Sequence, residues 1–493
     1  MRGLQTDVRR LRKAIFAEIA NLAYDSENII DDIEAIPFKL TAGEMPRYRE
    51  SIYRERAIIR ESVRLGMGLS IRPENKPVHL TAGIQNSDIA EKYYEPPLMQ
   101  VIPSACNECE PNTYEVSDMC KGCTAHPCVE VCPVGAITRE PGHKSVIDQK
   151  KCIKCGKCKA NCPYDAISHK TRPCAAMCGV SAIETDPQGR AMINPDKCVS
   201  CGMCMVSCPF GAIADKSQIF QMIRALQTGQ KMIAIVAPAI AGQFGKDVTL
   251  GMIKTALMQL GFADVFEVAK GADEGAMHEA KQYVELVASG KVPFLLTSCC
   301  PSWAVLAKKY FPETIDKISN TLTPMVSTAR YVKSIHPDAH IVFIGPCAAK
   351  KLEASRRTIR SDVDFVITFE ELDAIFESRM ISFDVDETKI DDATGIGRGF
   401  AVAGGVAGAI EKCIKEYYPG VEVHIEHAEG LADCRKMLML AKAGKKNGCL
   451  IEGMGCPGGC VAGAGTNIPI GNAIREVQQT VAQSSRRLPE LGE

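Results

Sequence analysis

Residues 452–466 read EGMGCPGGCVAGAGT. Two thiols, Cys456 and Cys460, stand four positions apart among Gly455, Gly458, Gly459, Gly463 and Gly465. With so little side-chain bulk the backbone can fold closely around something large and inorganic. A glycine-rich loop alone decides little. Two other stretches of the same C-terminal half, however, also place cysteines after apolar runs: FLLTSCCPSW, Phe294 to Trp303, and IVFIGPCAAKKLEA, Ile341 to Ala354. The three loops bring Cys299, Cys300, Cys347, Cys456 and Cys460, one thiol more than a cubane iron–sulfur cluster takes.

Outward from these loops, residues from about 216 to 493 alternate apolar runs with amphipathic stretches. MIAIVAPAI, VFEVA, PFLLTS, HIVFIG, VDFVITF, VEVHIE and GCLIEGM read as buried parallel strands. This predicts an α/β domain, and the Cys299, Cys300 and Cys347 loops follow strand ends, where such folds hold ligands. Cys413, Cys434 and Cys449 fit no cluster and are expected to be core thiols.

Upstream, residues from about 101 to 215 form an internal repeat. Three runs have the form C-x-x-C-x(2–4)-C-x-x-x-C-P: Cys120, Cys123, Cys128 and Cys132; Cys152, Cys155, Cys158 and Cys162; Cys198, Cys201, Cys204 and Cys208. Ala-Ile follows each at one offset, at Ala136, Ala166 and Ala212. In the bacterial ferredoxin run three thiolates hold one [4Fe–4S] cluster and the fourth reaches the neighbouring one. The first two runs therefore exchange ligands: Cys120, Cys123, Cys128 and Cys162 for one cluster, Cys152, Cys155, Cys158 and Cys132 for the other.

The third run needs a partner, and a broken one exists. Cys174 and Cys178, with Ala182-Ile183 at the same offset, supply its second half, and Cys106 and Cys109, upstream of the complete pair, supply its first. Cys132 to Cys162 and Cys178 to Cys208 are both 30 positions. One ferredoxin unit inserted inside another accounts for this, giving a third cluster on Cys106, Cys109, Cys174 and Cys208 and a fourth on Cys198, Cys201, Cys204 and Cys178. Structural zinc is the alternative, since C-x-x-C pairs also build zinc sites. It leaves the Cys-Pro ending and the ligand exchange unexplained, and its best claim is the Cys106/Cys109 group, where Gly179 rather than proline follows Cys178. His126, in CTAHPC, reads as a packing residue rather than a ligand.

Residues 1 to about 100 hold no cysteine. Val8, Leu11, Ile15, Ile19 and Leu22 mark one helical face and Ile52, Ile59 and Val63 another. The charged run RYRESIYRERAIIRES interleaves glutamate with arginine at helical spacing and reads as a solvated face of a helical cap or docking region. The expected organisation is thus 1–100 helical, 101–215 a nested double ferredoxin-like domain, and 216–493 catalytic. A length of 493 residues calls for more than one core. Formal charge of −1 gives no electrostatic case for nucleic acid, and 24 cysteines without a signal-peptide pattern or a transmembrane-length apolar run point to metal ligation in a soluble, cytoplasmic protein.

TSCCPSW, PCAAKKLE and GMGCPGGCVAGAG closely resemble, in order and rough separation, the three signature loops of the [FeFe]-hydrogenases, and the upstream cysteines resemble that family's accessory iron–sulfur domain. The resemblance implies a catalytic domain of two lobes with parallel sheets around an H-cluster. It implies that Cys300, Cys347, Cys456 and Cys460 bind a [4Fe–4S] cluster, Cys460 also bridging to a two-iron subsite with CO, cyanide and azadithiolate ligands. Cys299 is implied as proton relay, Lys350 as a cationic donor to an anionic ligand, Ser298, Pro238 and Met454 as pocket lining, and Glu279 and Ser319 as proton path. It further implies reversible H₂ formation, up to four accessory clusters, a ferredoxin or similar carrier as partner, an anaerobic setting, and maturation enzymes. Three positions depart from the family pattern: Gly345 where methionine is frequent, Gln282 for a second relay glutamate, and Met325 for glutamine. A hydrogen sensor and a non-catalytic iron–sulfur carrier or assembly protein are the competing readings.

Overall fold

The computed structural model describes residues 3–140 and 142–490. All seven expected strands of the C-terminal half form: β1 (Met232–Val236), β2 (Asp264–Glu267), β3 (Phe294–Leu296), β4 (His340–Ile344), β5 (Phe365–Ile367), β6 (His424–Glu429) and β7 (Cys449–Met454). They divide into two parallel sheets, one in the order β2-β1-β4-β5 and one in the order β3-β7-β6. In the first, Met232 through Val236 and Ile341 through Ile344 are buried on both faces, which is why these runs are continuously apolar. The second buries apolar side chains on both faces: Phe294, Leu296 and Ile451 pack to one side with Trp303, and Leu295, Leu450 and Met454 to the other.

Helices α1 (Asp7–Asp25), α2 (Ile29–Leu40) and α3 (Ile52–Gly66) precede α4 (Ile219–Gln227), α5 (Val268–Gln282), α6 (Pro301–Tyr310), α7 (Phe369–Ser378), α8 (Gly405–Tyr417) and α9 (Leu431–Lys442). The N-terminal helices are laid onto the first sheet's layer: Ile15, Phe16, Ile19, Ile33, Ile36, Ile59 and Val63 share one core with β1, β4 and β5. Here the solvated-face reading of the charged run is corrected. Glu55, Glu61 and Arg64 are buried, at 2%, 8% and 6% exposure. Glu55 accepts the backbone N–H groups of Arg47, Tyr48 and Arg49, and Arg64 donates to the carbonyls of Ser70, Leu80 and Ala82. Arg49 and Arg54 reach the carbonyls of Ala105, Phe210 and Ser104. The charges bind irregular backbone outside the helices and strands, a demand invisible to helical periodicity.

The cysteine-rich region is built twice on one plan, each time from a pair of strands joining its ends and a second, internal pair. In the inner unit Asn112–Val116 pairs antiparallel with Ile167–Thr171, and Ile137–Thr138 with Val146–Ile147. In the outer unit Met99–Val101 pairs with Ile213–Asp215, and Ile183–Thr185 with Ala191–Ile193. The inner unit interrupts the outer one between Cys109 and Cys174.

Candidate active site and cluster-binding loops

The three cysteine loops of the C-terminal half converge between the two sheets. They enclose a cavity lined by Cys299, Cys300, Cys347, Lys350, Cys456 and Cys460 together with Pro238, Met325, Phe343, Phe400 and Met454. Cys300 caps α6, and its sulfur accepts the Gly455 N–H at 3.4 Å, so the first and third loops are tied at a prospective ligand. Burial pushes the Cys347 thiol up to about 11, Cys460 to about 12 and Cys456 well above its ordinary value. Thiols so desolvated stay protonated unless a cation displaces the proton, and coordinated iron does that. Lys350 is buried and donates from Nζ to Glu353 Oε2 at 2.7 Å. Burial works against its charge, but Glu353 and the neighbouring thiols outweigh it and raise its pKa.

Behind Cys299 lies Glu279, 3% exposed. Its Oε1 accepts the Ser298 N–H at 2.9 Å, and the Ser298 and Ser319 hydroxyls also bond it. Burial pushes its pKa to about 7 against these three donors, with the Glu452 charge adding to the rise. Ser298 thus faces the carboxyl and is not part of the cavity wall, whereas Pro238 and Met454 are. Gln282 ends α5, where the helix widens into a π turn, Tyr283–Ala288.

Two glycines that depart from the patterns expected of their segments have a steric reason. A Cβ at Gly345 would lie 2.6 Å from the Phe343 ring and 3.0 Å from Ala237, so Phe343 fills the place a larger residue at 345 would take. A Cβ at Gly179 would lie 2.5 Å from the Ala432 N and 2.7 Å from the Leu431 Cβ: the start of α9 sits on this turn and leaves no room for a proline ring.

Two of the four upstream cysteine sets line pockets of their own. Cys120, Cys123, Cys128 and Cys162 line one pocket, and Cys106, Cys109, Cys174 and Cys208 another. Cys204 feels the charges of Cys201, Cys198 and Cys178; Cys158 feels Cys152 and Cys155, and Cys132 packs in one apolar cluster with Cys152 and Cys158. The Ala-Ile offset has a cause. Ala136, Ala166, Ala182 and Ala212 each donate their N–H to the sulfur four positions back, at 3.2 to 3.4 Å. The residue just before each alanine is left-handed: Gly135 at φ 59°, Asp165 at 47°, Ser181 at 53° and Gly211 at 62°. Within the C-x-x-C pairs the third residue is left-handed too, at Glu108, Gly122, Lys154 and Ser200. The broken run obeys both rules. Amide donors aimed at sulfur suit thiolate ligands and tune cluster potential.

Cys201 belongs to this upstream set and also lines the central cavity, a double position the sequence did not signal. His126 turns to Thr124 O, Arg139 and Glu130. Cys413, Cys434 and Cys449 are buried, as expected of core thiols.

Residues 230–464 match the family model for the iron only hydrogenase large subunit, C-terminal domain. Residues 119–167 match a 4Fe-4S dicluster domain and 191–214 a 4Fe-4S binding domain. Iron hydrogenase 1 of Clostridium pasteurianum is 29% identical over 302 residues, 51% of this chain and 52% of that protein, so the match spans about half the relative's length. A cytosolic Fe-S cluster assembly factor NAR1 from Meyerozyma guilliermondii is 25% identical over 162 residues, 30% of each chain. A solved [FeFe]-hydrogenase HydA1 variant from Chlamydomonas reinhardtii is 24% identical, covers 53% of this chain and 87% of its own, and has a TM-score of 0.44.

Proposed function

The chain is an iron-only hydrogenase large-subunit-like protein, and from that premise we propose that it is an enzyme, an [FeFe]-hydrogenase interconverting 2 H⁺ + 2 e⁻ and H₂. The observation that carries this is the single cavity in which Cys299, Cys300, Cys347, Lys350, Cys456 and Cys460 meet. In this reading Cys300, Cys347, Cys456 and Cys460 would hold the cubane of an H-cluster, with Cys460 also serving its two-iron subsite. When bound, that subsite, with its CO, cyanide and azadithiolate ligands, supplies the heterolytic chemistry at H₂. Cys299 gives and takes protons at its sulfur, and Glu279, held by Ser298 and Ser319, exchanges them with Cys299. Its pKa of about 7 suits both directions. Lys350 directs its ammonium into the cavity toward an anionic ligand, with Glu353 fixing it from behind. Pro238, Met325, Phe343 and Met454 keep water out.

The four upstream cysteine sets would hold four [4Fe–4S] clusters, in the proposed division at about residues 101 and 216, and these would supply electron transfer. Cys201 forms a common wall between the last set and the cavity. The far end suits an acidic carrier such as ferredoxin. Residues 119–167 carry eight Lys and Arg against four Asp and Glu, in a chain of net charge −1. Cys155 is exposed, as are Ile153 and Tyr164 at 58% and 45%, and Lys150, Lys151, Lys157 and Lys159 of the same unit also face solvent. Among the described residues no helix is long and apolar enough to cross a membrane. We place the protein in an anaerobic cytoplasm, dependent on maturation enzymes for its two-iron subsite.

The assembly-factor relatives favour a second reading, an iron–sulfur carrier without the two-iron subsite. Infrared spectroscopy of the anaerobic protein, matured with a two-iron subsite, separates the two. Bands in the CO and cyanide stretching region that move under H₂ are the expected result. No such bands, with about sixteen to twenty iron atoms still bound, would overturn the hydrogenase and leave the carrier.

A further inference from the structure

One turn beyond Glu279 on α5, Gln282 offers no ionisable group. Its Nε2 donates to Thr321 Oγ1 at 2.7 Å and its Oε1 accepts from the Asn320 N–H at 3.3 Å, so both ends are engaged and neither releases a proton at ordinary pH. On the other side of Glu279 stands a row of groups that the hydrogenase reading does not use. The Thr297 N–H donates to Ile451 O, and Glu452 pairs with His427 in the β7–β6 register, so Thr297, Glu452 and His427 stand abreast across the second sheet. Residues abreast in parallel strands share a face. It is the face covered by α5 and α8, because Leu295, Leu450 and Ile425, two positions earlier in each strand, pack there.

Each member of the row is poised differently. Thr297 is fully buried, and its hydroxyl has no hydrogen-bond partner among the described residues. A buried hydroxyl left free in this way can accept a proton on one side and give its own on the other. Glu452 is 1% exposed, and its two oxygens accept the N–H groups of Gly404 and Ala407, both at 2.8 Å, at the start of α8. His427 is half-exposed, with Nδ1 3.8 Å from Glu452 Oε2. At the inner end Glu279 accepts the very N–H that follows Thr297, and both Glu279 and Cys299 feel the Glu452 charge.

We propose that Thr297, Glu452 and His427 form a proton route between solvent and Glu279, in place of the one Gln282 interrupts. His427 takes a proton from water at Nε2 and passes the one on Nδ1 to the Glu452 carboxylate. Thr297 accepts that proton at Oγ1 and hands its own to Glu279, directly or through one water. One proton moves inward, no electron moves, and rotation of the hydroxyl and imidazole resets the row. The purpose of the route rests on the hydrogenase reading; its existence does not.

The test needs no two-iron subsite. Protein carrying its cubanes alone is moved from H₂O to D₂O at about pH 5, where Glu279 is protonated, and the carboxyl C=O stretch that Glu279→Gln abolishes is followed by infrared spectroscopy. Exchange should slow about tenfold or more in Thr297→Val, which keeps the side-chain shape, and in His427→Ala. Imidazole in the buffer should restore His427→Ala, and Gln282→Leu should exchange like wild type. Unchanged exchange in the Thr297 and His427 variants overturns the route. Because this readout involves no H₂, a protein that fails the hydrogenase test can still pass it. In the matured enzyme, turnover should fall in His427→Ala and recover with imidazole.

Discussion

Glu279 concentrates several demands on one carboxyl. Burial makes it a weak acid, while the Ser298 N–H and two hydroxyls keep its anion attainable. The folded pKa of about 7 exceeds the ordinary value of 4.5, so the stability this group contributes is fully present below about pH 4.5 and lost as pH rises through 7. Glu279→Gln should therefore gain on wild type between pH 5 and pH 8, by up to about 3 kcal/mol, as read by anaerobic thermal unfolding at the two pH values. An equal difference at both would mean the carboxyl ionises like a surface acid. At the same scale, methionine at Gly345 should clash with the Phe343 ring, and Phe343→Ala in the same chain should relieve it. The checks are the unfolding midpoints of the single and double variants: the double should recover more than half of the roughly 1–3 kcal/mol lost.

Among elements, the strands and the cysteine loops were legible because their signals are local. A buried parallel strand is an unbroken apolar run, and a ferredoxin run repeats a spacing fixed by where amides can reach sulfur, as Ala136, Ala166, Ala182 and Ala212 do. The α3 region was misread for the opposite reason. Its periodicity is that of any exposed amphipathic helix, and only the fold reveals that Glu55 and Arg64 are consumed by loop backbone. Thr297 and Glu452 escaped notice similarly, since a row across three strands joins residues from 297 to 452 and leaves no trace in any one segment. The burial has an energetic corollary. Glu55→Ala should orphan three N–H groups and destabilise by about 2–4 kcal/mol, more than a typical exposed glutamate, and urea midpoints of Glu55→Ala and Glu44→Ala make the comparison, Glu44 being exposed.

The whole molecule is a line from a basic, cysteine-bearing tip to a buried cavity, and the tip sets its response to salt. Reducing Lys150, Lys151, Lys157 and Lys159 to glutamine should slow electron uptake from an acidic carrier several-fold at low ionic strength and flatten its salt dependence. Turnover with a small uncharged mediator should not change. The tip hangs from the rest by the two paired strands Asn112–Val116 and Ile167–Thr171, with Asn112 opposite Thr171. A chain in which residues 113–170 give way to a short glycine turn should therefore close on itself, fold, and bind about eight fewer iron atoms, with the outer Cys106, Cys109, Cys174 and Cys208 set newly facing solvent. The insertion is in this sense a cassette. A lineage could add or remove this pair of cysteine sets, and with it the basic surface it carries, by a single excision that never touches the central cavity.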